Sequence, residues 1–135
     1  MNIHIIGGGN LGVAIVIGIS KFAKENQVTV TRRNIESIQY LEKSNITVSA
    51  NNSHQIQSAD IIILSVKPYQ INSVLSEIKA DISNKTIVST VSGVLIENIQ
   101  KEVNPNNAIV RIMPNIAVQF GESATCIAFN EKDKT

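Results

Sequence analysis

The run Ile3-His4-Ile5-Ile6 followed by Gly7-Gly8-Gly9-Asn10-Leu11-Gly12 constrains this chain more tightly than anything else in it. The short β-branched run reads as a strand, and Leu11 to Ala23 reads as a helix apolar on most faces. Gly7, Gly9 and Gly12 satisfy the G-x-G-x-x-G spacing in the strand–turn–helix setting that spacing requires. Each glycine has a physical task. Gly7 makes the tight turn, Gly9 lets a pyrophosphate approach the backbone, and Gly12 lets helix and strand pack closely. The first N–H groups of the helix and its positive dipole end favour a phosphate at that point. A purely structural glycine-rich turn is the competing reading, and the flanking elements weigh against it.

The same alternation continues downstream. Val28 to Thr31, Ile46 to Ser49, Ile61 to Val66, Thr86 to Val91 and Ile109 to Met113 read as strands. Between them, Asn34 is positioned to cap a helix whose Ile35, Ile38 and Leu41 share one face. Pro68 suits the first turn of a helix carrying Ile71, Val74, Leu75 and Ile78, and Ile96, Ile99 and Val103 mark another, ended by Asn104-Pro105. The unbroken apolar run of Ile61 to Val66 is that of a central parallel strand covered on both faces. Ala124 to Phe129 follows Gly121 with no helix between, which predicts an antiparallel strand at one sheet edge. The expected fold is therefore α/β, a doubly wound, Rossmann-type, mainly parallel sheet. Residues 1–130 are expected to form one NAD(P)-binding domain, and the polar tail 131–135 reads as a truncated linker.

The strand ends carry the candidate site. The second ends Val30-Thr31-Arg32-Arg33-Asn34, without the Asp or Glu that dinucleotide sites preferring NAD place on the ribose 2′-hydroxyl. A hydroxyl and two guanidiniums suit a 2′-phosphate instead, so NADP(H) is expected over NAD(H). A solvated turn is the plainer account of Arg32 and Arg33. Ser65-Val66-Lys67-Pro68 ends the fourth strand, Thr90-Val91-Ser92-Gly93 the fifth and Met113-Pro114-Asn115 the sixth. Small or polar groups on three successive strand ends make a floor for a nicotinamide ring. Asn115 is the candidate contact beside the ring or substrate, with a plain β-turn role as its alternative.

Other chemistries find little support. A formal net charge of +1 leaves no electrostatic footprint for nucleic acid or an anionic membrane. The longest uncharged stretch, Met1 to Ser20, is broken by Asn2, His4, Asn10 and the glycines, which argues against a membrane span. His4, His54 and Cys126 share no metal-ligand spacing, and no hydrolytic triad or carboxylate pair stands out. Cys126, the single cysteine, is expected to be a buried thiol in a reducing cytoplasm, and His4 to be packed rather than catalytic.

Taken together, several pieces resemble the pyrroline-5-carboxylate reductases. They are Ile5 through Gly12, Ala59-Asp60 leading to Val66-Lys67-Pro68, Ser89 through Gly93, Val110 through Asn115, Gly121-Glu122 and Ala124-Thr125. The resemblance implies NAD(P)H-dependent reduction of a cyclic imine carboxylate, 1-pyrroline-5-carboxylate, to L-proline. By position it implies that Ile6, Gly7, Gly8, Gly9, Asn10 and Leu11 cradle the pyrophosphate. Thr31 or Arg32 would meet the adenosine ribose or its 2′-phosphate, and Asn52 would line the adenine side. Ser65 through Pro68 and Thr90 through Ser92 would flank the nicotinamide half.

Two departures lie near the implied substrate end. Ile116-Ala117 stands where the family usually has Thr-Pro, and Ser123 where it usually has glycine. Family members also continue into a helical dimerisation domain that supplies most of the imine pocket. The expectation is a cofactor domain that binds NADP(H) yet turns over substrate poorly alone, the longer protein being a homo-oligomer. The catalytic residues are not identifiable from this chain. The alternatives are the cofactor domain of another imine or deazaflavin-linked reductase, and a non-catalytic nucleotide-binding regulatory module.

Overall fold

β-branched runs alternate with helical segments as expected, and the computed structural model assembles them into a seven-stranded sheet; it describes residues 1–133. The strands are β1 (Asn2–Ile6), β2 (Gln27–Thr31), β3 (Thr47–Ser49), β4 (Ile61–Leu64), β5 (Thr86–Ser89), β6 (Ala108–Met113) and β7 (Cys126–Phe129). Their order is β3-β2-β1-β4-β5-β6-β7, parallel throughout except for the antiparallel β6–β7 pair at one edge. The helices are α1 (Asn10–Phe22), α2 (Ile71–Ile78) and α3 (Ile96–Glu102).

The central strands are apolar on both faces because both faces are covered. Ile3, Ile5, Val28, Val30 and Ile63 pack with Ile15 and Val16 of α1 and with Ile38 and Leu41. Ile6, Ile62, Leu64 and Ile87 pack on the opposite face with Leu75 and Ile78 of α2 and Ile99 of α3. Strand order reverses between β1 and β4, and ligands of open α/β sheets lie at the carboxyl ends flanking such a point.

Local chemistry moves several expected boundaries. No regular helix forms after Asn34. Its Oδ1 accepts from the Glu36 N–H at 3.1 Å and its carbonyl from Ser37 Oγ at 3.1 Å, which favours turns; a 3₁₀ segment follows at Gln39–Ser44. Ile38 and Leu41 are buried all the same. β4 stops at Leu64, short of Val66, as the chain turns toward Pro68. β5 stops at Ser89 because its hydroxyl oxygen accepts from the Val91 N–H at 3.2 Å, curling the chain out of the ladder.

Two other expectations meet the fold differently. His4 is packed as expected, only 1% exposed. Cys126 is exposed rather than buried, because β7 is an edge strand whose four residues are uncovered among the described residues. Within the expected linker, Glu131–Asp133 form a 3₁₀ turn. Lys132 Nζ there donates to Gln100 Oε1 at 2.9 Å, and an Asp133 carboxylate oxygen accepts from the Ile109 N–H at 3.4 Å. Lys134 and Thr135 lie outside the described residues.

Candidate nucleotide site at the strand carboxyl ends

Gly7 turns the chain out of β1 at a φ of +107°, a conformation that L side chains rarely adopt. The N–H groups of Gly7 and Gly8 both donate to the Thr31 carbonyl, at 3.1 and 2.9 Å, tying the loop to the end of β2. A Cβ on Gly7 would overlap the Ser65 carbonyl, and one on Gly12 the Gly7 carbonyl. Gly9 differs: a Cβ there would meet nothing within 4 Å and would fill open space before the helix. Gly9 is the N-cap of α1, and no side chain caps the helix. Its first-turn N–H groups are therefore left for an anion. This arrangement fits a pyrophosphate and agrees with the tasks assigned to the three glycines.

The loop forms one wall of a cleft of about 840 Å³. Of the expected residues, Ile6 through Leu11, Thr31, Arg32, Arg33, Asn52, Ser65 through Pro68, Thr90 and Ser92 all line it. Three do not. Gly12 is buried beneath the loop, consistent with a packing role. Val91 is 1% exposed and belongs to the core on the α2–α3 face, so its side chain is no floor for a ring. Asn115 caps the 3₁₀ turn Ile116–Phe120, its Oδ1 accepting from the Ala117 N–H at 2.9 Å, while Ile116 lines the cleft in its place. The plainer turn role expected for Asn115 is the one this geometry carries.

The polar groups are already partly committed. Thr31 Oγ1 donates to Asn52 Oδ1 at 2.6 Å, and Asn52 Nδ2 donates to Glu77 Oε2 at 3.0 Å. Arg32 Nη1 donates to the Gly8 carbonyl at 2.8 Å, which draws this guanidinium over the loop. Thr90 Oγ1 donates to the Leu64 carbonyl at 3.0 Å, holding the ends of β4 and β5 together. The Lys67 N–H donates to Gln70 Oε1 at 3.0 Å, which sets the exit into the next helix. Among the charged residues lining the cleft, Arg32, Arg33 and Lys67 outweigh Glu77, a balance that favours anionic ligands.

Sequence reasoning places Asn34 only at the end of β2 and Ile116 only near the implied substrate end, and does not single out Tyr69, Gln70, Ser73, Val74 or Glu77 for the site; all of these line the cleft. Gln70, Ser73, Val74 and Glu77 follow helical spacing and share one side of the Pro68–Ile78 segment. That spacing was the available signal, overlooked because Ile71, Val74, Leu75 and Ile78 mark the helix by its core side.

His4 lies in the middle of β1 and does not line the cleft. Its Nε2 has no hydrogen-bond partner. Burial lowers its pKa to about 4, a backbone interaction with Asn52 acts in the opposite sense, and nearby His54 lowers it further. The ring is therefore neutral at physiological pH. Among the described residues no three His, Cys, Asp or Glu side chains are grouped to hold a metal ion. Nor is any helix there long and apolar enough to cross a membrane.

Known proteins share both the sequence and this architecture. Pyrroline-5-carboxylate reductase 2 of Dictyostelium discoideum is 40% identical over 98% of this chain, which spans 46% of that protein. Pyrroline-5-carboxylate reductase 1 of the same organism is 38% identical over 93% of the chain, which spans 23% of it. Among solved structures, a pyrroline-5-carboxylate reductase from Coxiella burnetii superposes with a TM-score of 0.87 at 32% identity, over 96% of this chain and 50% of that one. The NADP-bound pyrroline carboxylate reductase of Plasmodium falciparum gives 0.83 at 26% identity, over 99% of this chain and 51% of that one. The chain thus spans about half the length, or less, of these relatives. The resemblance read from the residues is borne out. Residues 2–93 match the family described as NADP oxidoreductase coenzyme F420-dependent, and the chain belongs to that family.

Proposed function

We propose that this chain is the NADP(H)-binding domain of a pyrroline-5-carboxylate reductase. The observation that carries the reading is the open N-terminus of α1 at the point of strand reversal, beside a β2 end that bears arginines and no acid. The first-turn N–H groups of α1 hold the pyrophosphate, with Gly9 leaving room for it. Arg33 and Arg32 neutralise the adenosine 2′-phosphate. The Ser65–Pro68 and Thr90–Ser92 strand ends flank the nicotinamide and keep it against the sheet edge. When bound, that ring supplies the hydride that reduces a carbon–nitrogen double bond.

These relatives are about twice as long as this chain or longer. We infer that a further part of the full protein completes the imine pocket and forms a homo-oligomer. On this reading the full enzyme makes L-proline in the cytoplasm, and the present chain alone binds cofactor but turns over substrate poorly. A deazaflavin-linked or regulatory role is less well supported, since the pyrroline-5-carboxylate reductases match across nearly the whole chain.

Titration calorimetry with NADPH and NADH tests the binding claim directly. NADPH is expected to bind more tightly, and replacing Arg32 and Arg33 together by Ala should weaken it by about 1–3 kcal/mol while leaving NADH nearly unchanged. NADH binding as tight as NADPH would sink the arginine argument.

A further inference from the structure

β2 ends without a carboxylate, yet the fold delivers one to the same end of the cleft from another element. Glu77, in the last turn of α2, is the only carboxylate lining the cleft among the described residues. Its Oε2 accepts from Asn52 Nδ2 at 3.0 Å, and Asn52 Oδ1 accepts from Thr31 Oγ1 at 2.6 Å. Thr31 is the last residue of β2, so two hydrogen bonds link that strand end to an acid more than forty residues downstream.

The relay fixes the orientation of the Asn52 amide. An ionised carboxylate only accepts, so Glu77 holds the Asn52 NH₂ group toward itself and the amide oxygen toward Thr31. Thr31 spends its one hydrogen on Asn52 and is fully buried, so it anchors the amide and does not itself meet a ligand. The cleft therefore feels the Glu77 charge at this end, which accepts from a ribose hydroxyl and opposes a phosphate dianion. Arg32 and Arg33 line the same cleft with the opposite preference.

We propose that Glu77 is a specificity-determining residue of this site: its charge, held beside Asn52 at the end of β2, tunes the cleft toward a free ribose 2′-hydroxyl and narrows the preference for NADP(H) over NAD(H). This rests on the reading of the cleft as a nicotinamide-dinucleotide site. The arginines set the sign of the preference, and Glu77 limits its size.

The test compares the chain with its Glu77→Gln variant by calorimetric titration, with NADPH and NADH in separate experiments. Gln retains an acceptor for Asn52 and removes only the charge. NADPH is expected to bind about fivefold more tightly to the variant, and NADH to change by less than about twofold. Raising the salt concentration should shrink the NADPH gain, as screening of an exposed charge requires. Equal shifts for both cofactors, or an unchanged ratio, would overturn the proposal and leave Glu77 a structural hydrogen-bond partner. A parent chain that binds neither dinucleotide would instead overturn the binding reading, and this proposal with it.

Discussion

Around the glycine loop, backbones meet so closely that one added carbon has no room on Gly7 or Gly12. At the far edge of the sheet the situation is reversed. Cys126, Ile127, Ala128 and Phe129 of β7 are all exposed, and Met113 and Ile116 nearby are 45% and 60% exposed. The first region forms a site from atoms that are missing, with free N–H groups and space where side chains would stand. The second presents large apolar side chains with no layer on them among the described residues. A cofactor cradle can be complete within this unit because it is made of backbone held by a closed core. The β6–β7 edge is a surface, and substitutions there should be felt far less.

The sharpest way to break that contrast lies within the loop itself. Gly12→Ala places a methyl against the Gly7 carbonyl, which the core cannot move aside, and should cost at least about 3 kcal/mol. Gly9→Ala has open space and a φ of −79°, so its stability should stay within about 0.5 kcal/mol of the parent while dinucleotide binding collapses. Urea denaturation and calorimetry on both variants separate the two effects. A Gly12→Ala chain as stable as the parent would show that the loop is not tightly packed.

His4 extends the comparison to pH. Its folded pKa of about 4 lies below the unfolded value of 6.5, so the unfolded chain takes up the proton first as pH falls. Above pH 6.5 this group leaves stability unchanged. Between 6.5 and 4 it withdraws stability progressively, up to about 3 kcal/mol. His4→Phe removes the titration, and its stability curve should be flatter across that window. Parallel curves for the two proteins would assign acid sensitivity to other groups.

How much of this was legible follows the same division. β1, β4 and the glycine loop were readable because periodicity and a spaced motif report backbone geometry directly. The antiparallel β7 followed from the absence of a crossover helix. What escaped depended on contacts distant in sequence. Asn34 was a plausible helix cap, but its side chain closes a turn instead. Val91 sits one residue from cleft-lining Thr90 and Ser92, and the curl after Ser89 turns it into the core. Glu77 belongs to a helix recognisable by its buried side, and nothing linear announces that its other side crosses the end of β2. Cys126 looked like a core residue because apolar neighbours imply burial only where another layer exists to cover them.

That last point gives the smallest and most discriminating expectation. Ile127 is 63% exposed on an edge strand, paired with Ile112 across the antiparallel ladder. Ile127→Thr keeps the β-branched shape that suits a strand and changes only polarity. If β7 is a free surface in this chain, stability should move by less than about 0.5 kcal/mol, measured by urea denaturation. A loss of 2 kcal/mol or more, growing with protein concentration in the parent, would mean that copies of the chain cover the edge in solution. The contrast between a closed cradle and an open edge would then belong to the single chain and not to the assembled protein.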